Sequence, residues 1–441
     1  MHGTFRLSSI KWPQFALLAS TLGVITAGCG TQASPSTGPA VKSHVTDITY
    51  WSGHSSGALY NAVVAEVKQF NKTHPSIHVT FKPIGASHHG LAAFESGQSP
   101  NVGMVSGYIV PQLAQAGAIE NLSSYVHGAN GLSQTQINQW FYPVIWQDTK
   151  ESNGKQYLMP LEKKSLLVIY YNESLFTKAG ITTPPTTWAQ VGADAAKITS
   201  LGPNYHGIAW TPELQQYFDI ITANGGHVFP TTHNRRAYSL NNAGAASALS
   251  MLRSWIAAGS MITTTGYQYQ LDFGTGKVGM VIDASAGYTY DKSSVGGKFV
   301  MGGIAAPRGT TGHTSQYING ASTVLFNTGT TAQKNASWTF MKWLASPATN
   351  VYWDQHANYL PLGPAGYQMM QSFYQAHPAQ AASYSNPSQW WFKPRTTNFE
   401  PSVTAMDAPF IQGLSGKLSV SKTLKDMTTV GTNYLSGKVR G

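Results

Sequence analysis

Ser165-Leu-Leu-Val-Ile-Tyr-Tyr-Asn-Glu-Ser-Leu-Phe-Thr-Lys-Ala-Gly-Ile-Thr-Thr-Pro-Pro-Thr-Thr-Trp188 is the stretch that decides the fold. Leu166 to Tyr171 is an unbroken apolar and aromatic run with β-branched Val168 and Ile169, which predicts a strand buried on both faces. Asn172 to Lys178 predicts a short helical turn, stopped by Ala179-Gly180 and fixed by Pro184-Pro185. Thr186-Thr187 then supply N-cap oxygens for a helix beginning near Trp188.

Upstream, Asp47 to Trp51 reads as a strand, Ser56 to Thr73 as a helix capped by Ser55 or Ser56, and Ile77, Val79 and Phe81 as a second strand. That order makes a parallel βαβ unit. Val102 to Val105 predicts a third strand. Open parallel sheets bind ligands beyond the carboxyl ends of their strands, so Trp51-Ser52-Gly53-His54 and Ser106-Gly107-Tyr108 are expected to face one crevice. Downstream, Met159 to about Ala305 is a second alternating set, and Gly- and Thr-rich Pro307 to Gln316 suggests a crossover.

The Tyr-Tyr-Asn…Phe…Ala-Gly…Pro-Pro…Thr-Trp block resembles the signature of bacterial extracellular solute-binding proteins of the sugar-binding type. Tyr317-Ile318-Asn319-Gly320-Ala321 and Asn358-Tyr359-Leu360-Pro361 resemble the second and third crossovers of that family. The resemblance implies two α/β lobes of the type II periplasmic-binding-protein fold, joined by about three crossovers around a ligand cleft. On that pattern 1–28 is a signal and 29–44 a flexible linker. Residues 45–156 and 309–360 form the first lobe, and 157–308 and 361–441 the second.

The same resemblance implies the site. Ser165 is expected to give a polar contact, Ser106, Gly107 and Tyr108 the loop after the third strand, and Asp283 to Ser285 the loop from the second lobe. Gly320 and Tyr359 match the family's backbone and aromatic contacts at the crossovers. Its glycerol-3-phosphate branch carries a glutamate where this chain has Gly107, and a late arginine near Arg395. Trp and Tyr rings stack on the C–H faces of sugars, and Trp51, Tyr108, Trp210, Tyr288, Tyr359 and Trp390-Trp391 fall in or beside loops. For each ring, core filling is the alternative role.

At 441 residues the chain has room for two cores. Its net charge of +10 comes from scarce acids, with no basic run longer than Lys163-Lys164 or Arg235-Arg236, so nucleic acid is not an expected partner. Few carboxylates also predict tolerance of acid, with compositional drift as the alternative.

Cys29 is the only cysteine, which excludes an internal disulfide or a cysteine zinc site. Arg6 and Lys11, the apolar Phe15 to Ala27 and the small Ala27-Gly28 before Cys29 resemble a lipoprotein signal in which Cys29 is lipidated. An ordinary secretory signal is the alternative. The implied protein is an exported, non-enzymatic monomer without cofactor or metal. It is tethered to the outer face of the membrane and passes a carbohydrate or polyol derivative to an ABC permease.

Three further motifs point to other functions. Gly53-His54-Ser55-Ser56-Gly57 matches G-x-S-x-G, but the mature chain before it is too short to supply a hydrolase's earlier strands. Gly274 to Gly279 matches G-x-G-x-x-G, but the apolar run follows the glycines, so it is a turn before a strand. Adjacent Tyr170-Tyr171 suits ferric iron in ligand hardness, yet alternation on a strand sends the rings to opposite faces.

Overall fold

Strand pairing in the computed structural model, which describes residues 45–151, 153–231 and 235–439, separates the chain into two α/β lobes and a small connecting sheet. The signal, the linker and Cys29 lie outside the described residues.

The first lobe is built on β1 (Thr46–Trp51), β2 (Ile77–Lys82), β3 (Val102–Ser106) and β4 (Met159–Pro160), with the late β12 (Ala321–Leu325) inserted in the order β2-β1-β3-β12-β4. β1 runs parallel to β2 and β3, as the βαβ reading predicts, and β12 is antiparallel to β3 and β4. The helix Gly57–Thr73 covers one face, where Phe70 and Phe340 are fully buried with ring centroids 4.8 Å apart. Ser56 occupies its N-cap position, but no side-chain cap bond forms, which corrects the expected serine cap.

The second lobe has the sheet order β10-β6-β9-β7-β8, from β6 (Val168–Asn172), β7 (His206–Trp210), β8 (Met261–Thr263), β9 (Val278–Asp283) and β10 (Met301–Ile304). β6 is the decisive strand of the sequence and runs antiparallel to both neighbours. Its alternation divides two cores. Ile169 joins Trp188, Trp210 and Met280 on one face, and Val168 and Tyr170 join Phe273 and Val281 on the other. Tyr171 packs on the first of these faces and Tyr170 in the second, so the two phenols cannot converge on one iron.

The punctuation after β6 follows the sequence. Asn172 Oδ1 accepts from the Leu175 amide at 3.2 Å to start the helix Glu173–Lys178. Gly180 takes the left-handed φ of +68° past its end. Thr187 and Gln190 then close a capping box on the helix Trp188–Thr199: Thr187 Oγ1 accepts from the Gln190 amide at 3.2 Å, and Gln190 Oε1 from the Thr187 amide at 3.1 Å.

Two expected boundaries shift. Met159 pairs with Thr323, so the chain leaves the first lobe after Pro160 rather than at 157. The helix Pro364–Ala376 packs on Gln134–Trp140 and Pro347–Ala357, so the chain stays with the first lobe well past 361. Packing against those two helices keeps the chain on the first lobe beyond the crossover that the resemblance at Asn358 to Pro361 implies.

Candidate functional site

The lobes meet where three passages of the chain are stitched together. β5 (Lys164–Ser165) pairs antiparallel with β11 (Gln316–Asn319), and β13 (Trp390–Trp391) runs parallel to β11 on its other side. The Leu360 amide donates to the Lys163 carbonyl at 2.7 Å, and the Glu162 amide to the Ala321 carbonyl at 3.2 Å. Gly320 has φ +141°, and a Cβ there would stand 2.1 Å from the Glu162 carbonyl oxygen. Only glycine lets the strands approach this closely.

Lys163 is buried at this junction, its ammonium donating to the Ala321 carbonyl at 2.8 Å and to Ser322 Oγ at 3.0 Å. Burial pushes its pKa down to about 8, against the pull of Asp148 and Glu162.

Beside the junction a small cavity of about 20 Å³ is walled by Gly107, Tyr108, Asn319, Gly320, Lys393 and Arg395. Asp148, Phe392, Lys393 and Arg395 also wall an open chamber of about 1120 Å³, whose lining includes Trp390 and Trp391. Arg395 is held from the first lobe: Nη1 donates to Glu151 Oε1 at 2.7 Å, and Nη2 lies 3.4 Å from Asp148 Oδ1. Burial is the main influence on Asp148 and raises its pKa, with Arg395 and Lys163 opposing. Lys393 is paired with Glu400 and sits 5.0 Å over the Tyr108 ring.

Of the residues singled out from sequence, Gly107, Tyr108, Gly320 and Arg395 come together at the small cavity, with Trp390 at the chamber. Trp390 shows the chamber little surface, because its indole N–H is buried and donates to Gln316 Oε1 at 2.9 Å. Ser106 is the last residue of β3, and its amide donates to Ser87 Oγ at 2.9 Å.

Other expected contacts are structural. Trp210 is fully buried, with Nε1 donating to Gln216 Oε1 at 2.6 Å, so it has no face to stack on a sugar. Trp51, Tyr288 and Tyr359 fill cores: Tyr288 lies 5.6 Å from Tyr170, and Tyr359 5.6 Å from Trp353. Ser165 Oγ is buried and closes a local turn with the Leu167 backbone at 3.1 Å. His54 Nε2 is 3.0 Å from Glu162 Oε2. Ser55 is exposed at the turn into the first helix. Asp283 accepts from the Ala284 amide at 2.6 Å and from Gln270 Nε2 at 3.1 Å. Ser285 meets the other lobe through its carbonyl, which accepts from Asn358 Nδ2 at 2.6 Å. Trp51, Trp210, Tyr288 and Tyr359 are thus taken up in packing, and Ser165 and Asp283 in local hydrogen bonds.

Asp148, Glu151, Asn319 and Lys393 are the site residues that sequence reasoning missed. Two of the chain's 18 acids stand three residues apart just before the first crossover, and that concentration was the available signal. Among the described residues no cluster of three His, Cys, Asp or Glu is placed to hold a metal ion.

Known proteins share this architecture. The chain is similar to the cyclic α-maltosyl-1,6-maltose-binding protein of Arthrobacter globiformis, with a TM-score of 0.75 at 19% identity over 89% of this chain and 99% of that one. It is similar to UgpB of Mycobacterium tuberculosis, solved with glycerophosphocholine, with a TM-score of 0.73 at 16% identity over 89% and 99%. These likenesses show the two-lobed periplasmic-binding-protein fold. In sequence, a binding protein of Brucella abortus (strain 2308) is 30% identical over 220 residues, 48% of this chain and 51% of the relative. The chain thus spans about half the length of the first curated relatives it matches. The sn-glycerol-3-phosphate-binding periplasmic protein UgpB of Pectobacterium atrosepticum is 23% identical over 353 residues, 76% of this chain and 77% of that protein. The pattern that defines one family matches residues 51–351, most of the chain. With that match, the protein belongs to the bacterial extracellular solute-binding proteins.

Proposed function

We propose that this protein is the capture component of an ABC importer, taking a carbohydrate or polyol-type solute between its lobes and presenting it to a permease. The observation that carries the reading is the junction itself: residues of both lobes converge beside three stitched crossovers at Gly107, Tyr108, Asn319, Gly320 and Arg395. Contacts from two lobes exist together only when the hinge closes, so binding shifts an open–closed population toward the state a permease recognises. The names of the relatives, binders of a maltosyl sugar and of glycerol phosphate, support the solute class. The lipoprotein-like signal supports export and tethering at the outer face of the cell membrane through Cys29.

A thermal-shift screen of mono-, di- and oligosaccharides, polyols and glycerophosphodiesters tests the reading. A ligand at 100 times its dissociation constant stabilises by roughly 2.7 kcal/mol, well within such a readout. A stabilising sugar or polyol is expected. Stabilisation by amino acids or peptides, with no response to any of these solutes, overturns the solute class.

A further inference from the structure

We propose that Asp148 and Glu151 are specificity-determining residues: by holding Arg395 from the opposite lobe they turn a cationic cleft into one that selects uncharged, hydroxyl-rich solutes over phosphorylated ones. The inference deepens the proposed function and rests on it for the location of the site. Arg395 and Lys393 are the cations that wall both the small cavity and the chamber, and Arg395 alone of the two carries a planar fork of donors suited to an anion. Its guanidinium is already engaged on two edges, by Glu151 at 2.7 Å and by Asp148 at 3.4 Å, with all three side chains less than one fifth exposed.

An incoming phosphate therefore has to displace two carboxylates that are tethered to the protein and hence present at high effective concentration. It would also leave those carboxylates half-buried without their partner, which is costly. The neighbouring cations offer no easy substitute. Lys393 is paired with Glu400, and Lys163 is buried against Ala321 and Ser322 within the fields of Asp148 and Glu162. Arg235 donates from Nη1 to the Phe392 carbonyl at 2.7 Å. Lys150 and Arg236 stand in the wall of the chamber, away from the small cavity.

A neutral ligand meets different chemistry. Arg395 Nη2 is buried and lacks a well-aligned hydrogen-bond partner despite its proximity to Asp148. Once the cleft opens enough to expose it, Nη2 can donate to a hydroxyl oxygen without giving up its charge compensation. A sugar or polyol hydroxyl can also donate to the carboxylates, so the triad offers a matched donor and acceptor set.

Inorganic phosphate is the probe, because it tests the triad whichever solute the screen identifies. By titration calorimetry at low salt, wild type is expected to bind phosphate no better than a control carrying Glu173→Gln and Asp426→Asn, two acids that wall neither cavity. Asp148→Asn with Glu151→Gln is expected to gain at least tenfold in phosphate affinity. Adding Arg395→Gln should abolish the gain, and circular dichroism confirms that each variant is folded. Glu151→Gln alone is the milder variant, expected to gain a smaller part. Wild type that binds phosphate tightly overturns the proposal, and so does a folded double variant that gains nothing. A neutral solute found by the screen, together with either of those results, would leave the proposed function standing and remove only the role of the two carboxylates.

Discussion

Asn358 Nδ2 donates to the Ser285 carbonyl at 2.6 Å and to the Tyr170 hydroxyl at 3.2 Å, joining the end of a first-lobe helix to the cleft loop of the second. Asn358 has φ 53° and is the non-glycine residue with a left-handed backbone among the described residues. Asparagine tolerates that conformation better than most side chains.

Asn358→Ala should therefore loosen closure. Losing these bonds costs about 1–2 kcal/mol, which corresponds to roughly five- to thirty-fold weaker ligand binding. Asn358→Gly should weaken binding equally but cost less in thermal stability, because glycine accepts the backbone. Calorimetry and small-angle scattering check both, and unchanged affinity in the two variants would show that the bond does not couple the lobes.

Stability should rise in mild acid. Burial lifts Asp219 to about 7, although it accepts from the Tyr317 amide, Trp391 Nε1 and Ser315 Oγ. Burial likewise lifts Glu213 to about 7, with Lys164 opposing. Burial also raises Glu66 and Asp354, and both carboxylate oxygens of Asp354 lack a partner. A folded pKa above the unfolded one means that stability is full below the unfolded values of 3.8 and 4.5 and is lost as pH rises to about 7. The melting temperature should be higher at pH 5 than at pH 7.5, and Asp219→Asn should flatten the slope. A lower melting temperature at pH 5 would contradict this.

Gly320→Ala should damage the junction. The added Cβ meets the Glu162 carbonyl at 2.1 Å in a backbone conformation that disfavours alanine. The expected loss is about 2–4 kcal/mol in denaturant unfolding. A loss below about 0.5 kcal/mol would mean that the strands part easily there.

Ring substitutions separate core from cleft. Trp210→Ala should destabilise by about 3–5 kcal/mol through the cavity it leaves. Trp210→Phe should keep ligand affinity within about twofold, since the ring is walled in. Tyr108→Ala should weaken binding about tenfold while leaving the fold intact. The opposite pattern of affinities would return Trp210 to the site.

Cys29→Ala should release the protein from membranes in a cell that processes lipoproteins. Fractionation and mass analysis of the N-terminus check it. A wild type recovered soluble with a free thiol would contradict lipidation.

The strand read at Leu166 to Tyr171 and found at Val168–Asn172, the short helix after it and the threonine cap at Thr187 were legible because each depends on residues within a few positions. The two-lobed layout was legible through resemblance. The cleft was less so. Arg395 and Glu151 lie 244 residues apart and meet only after the crossovers have assembled, and no local periodicity records such a pairing. Trp210 misled for a related reason. It ends a strand as a cleft residue would, and only the burial of Gln216 beneath it shows that the ring turns inward.

The insertion of β12 between β3 and β4 bears on the order in which the chain completes itself. All five strands of the second lobe's sheet have been synthesised by Ile304, whereas the first lobe lacks its fourth neighbour until Leu325 follows. Until then β3 has an unpaired edge and β4 has nothing to pair with, a template for wrong association. The sheet that begins first thus closes last, and the growing chain needs that edge shielded for the more than 200 residues between Ser106 and Ala321.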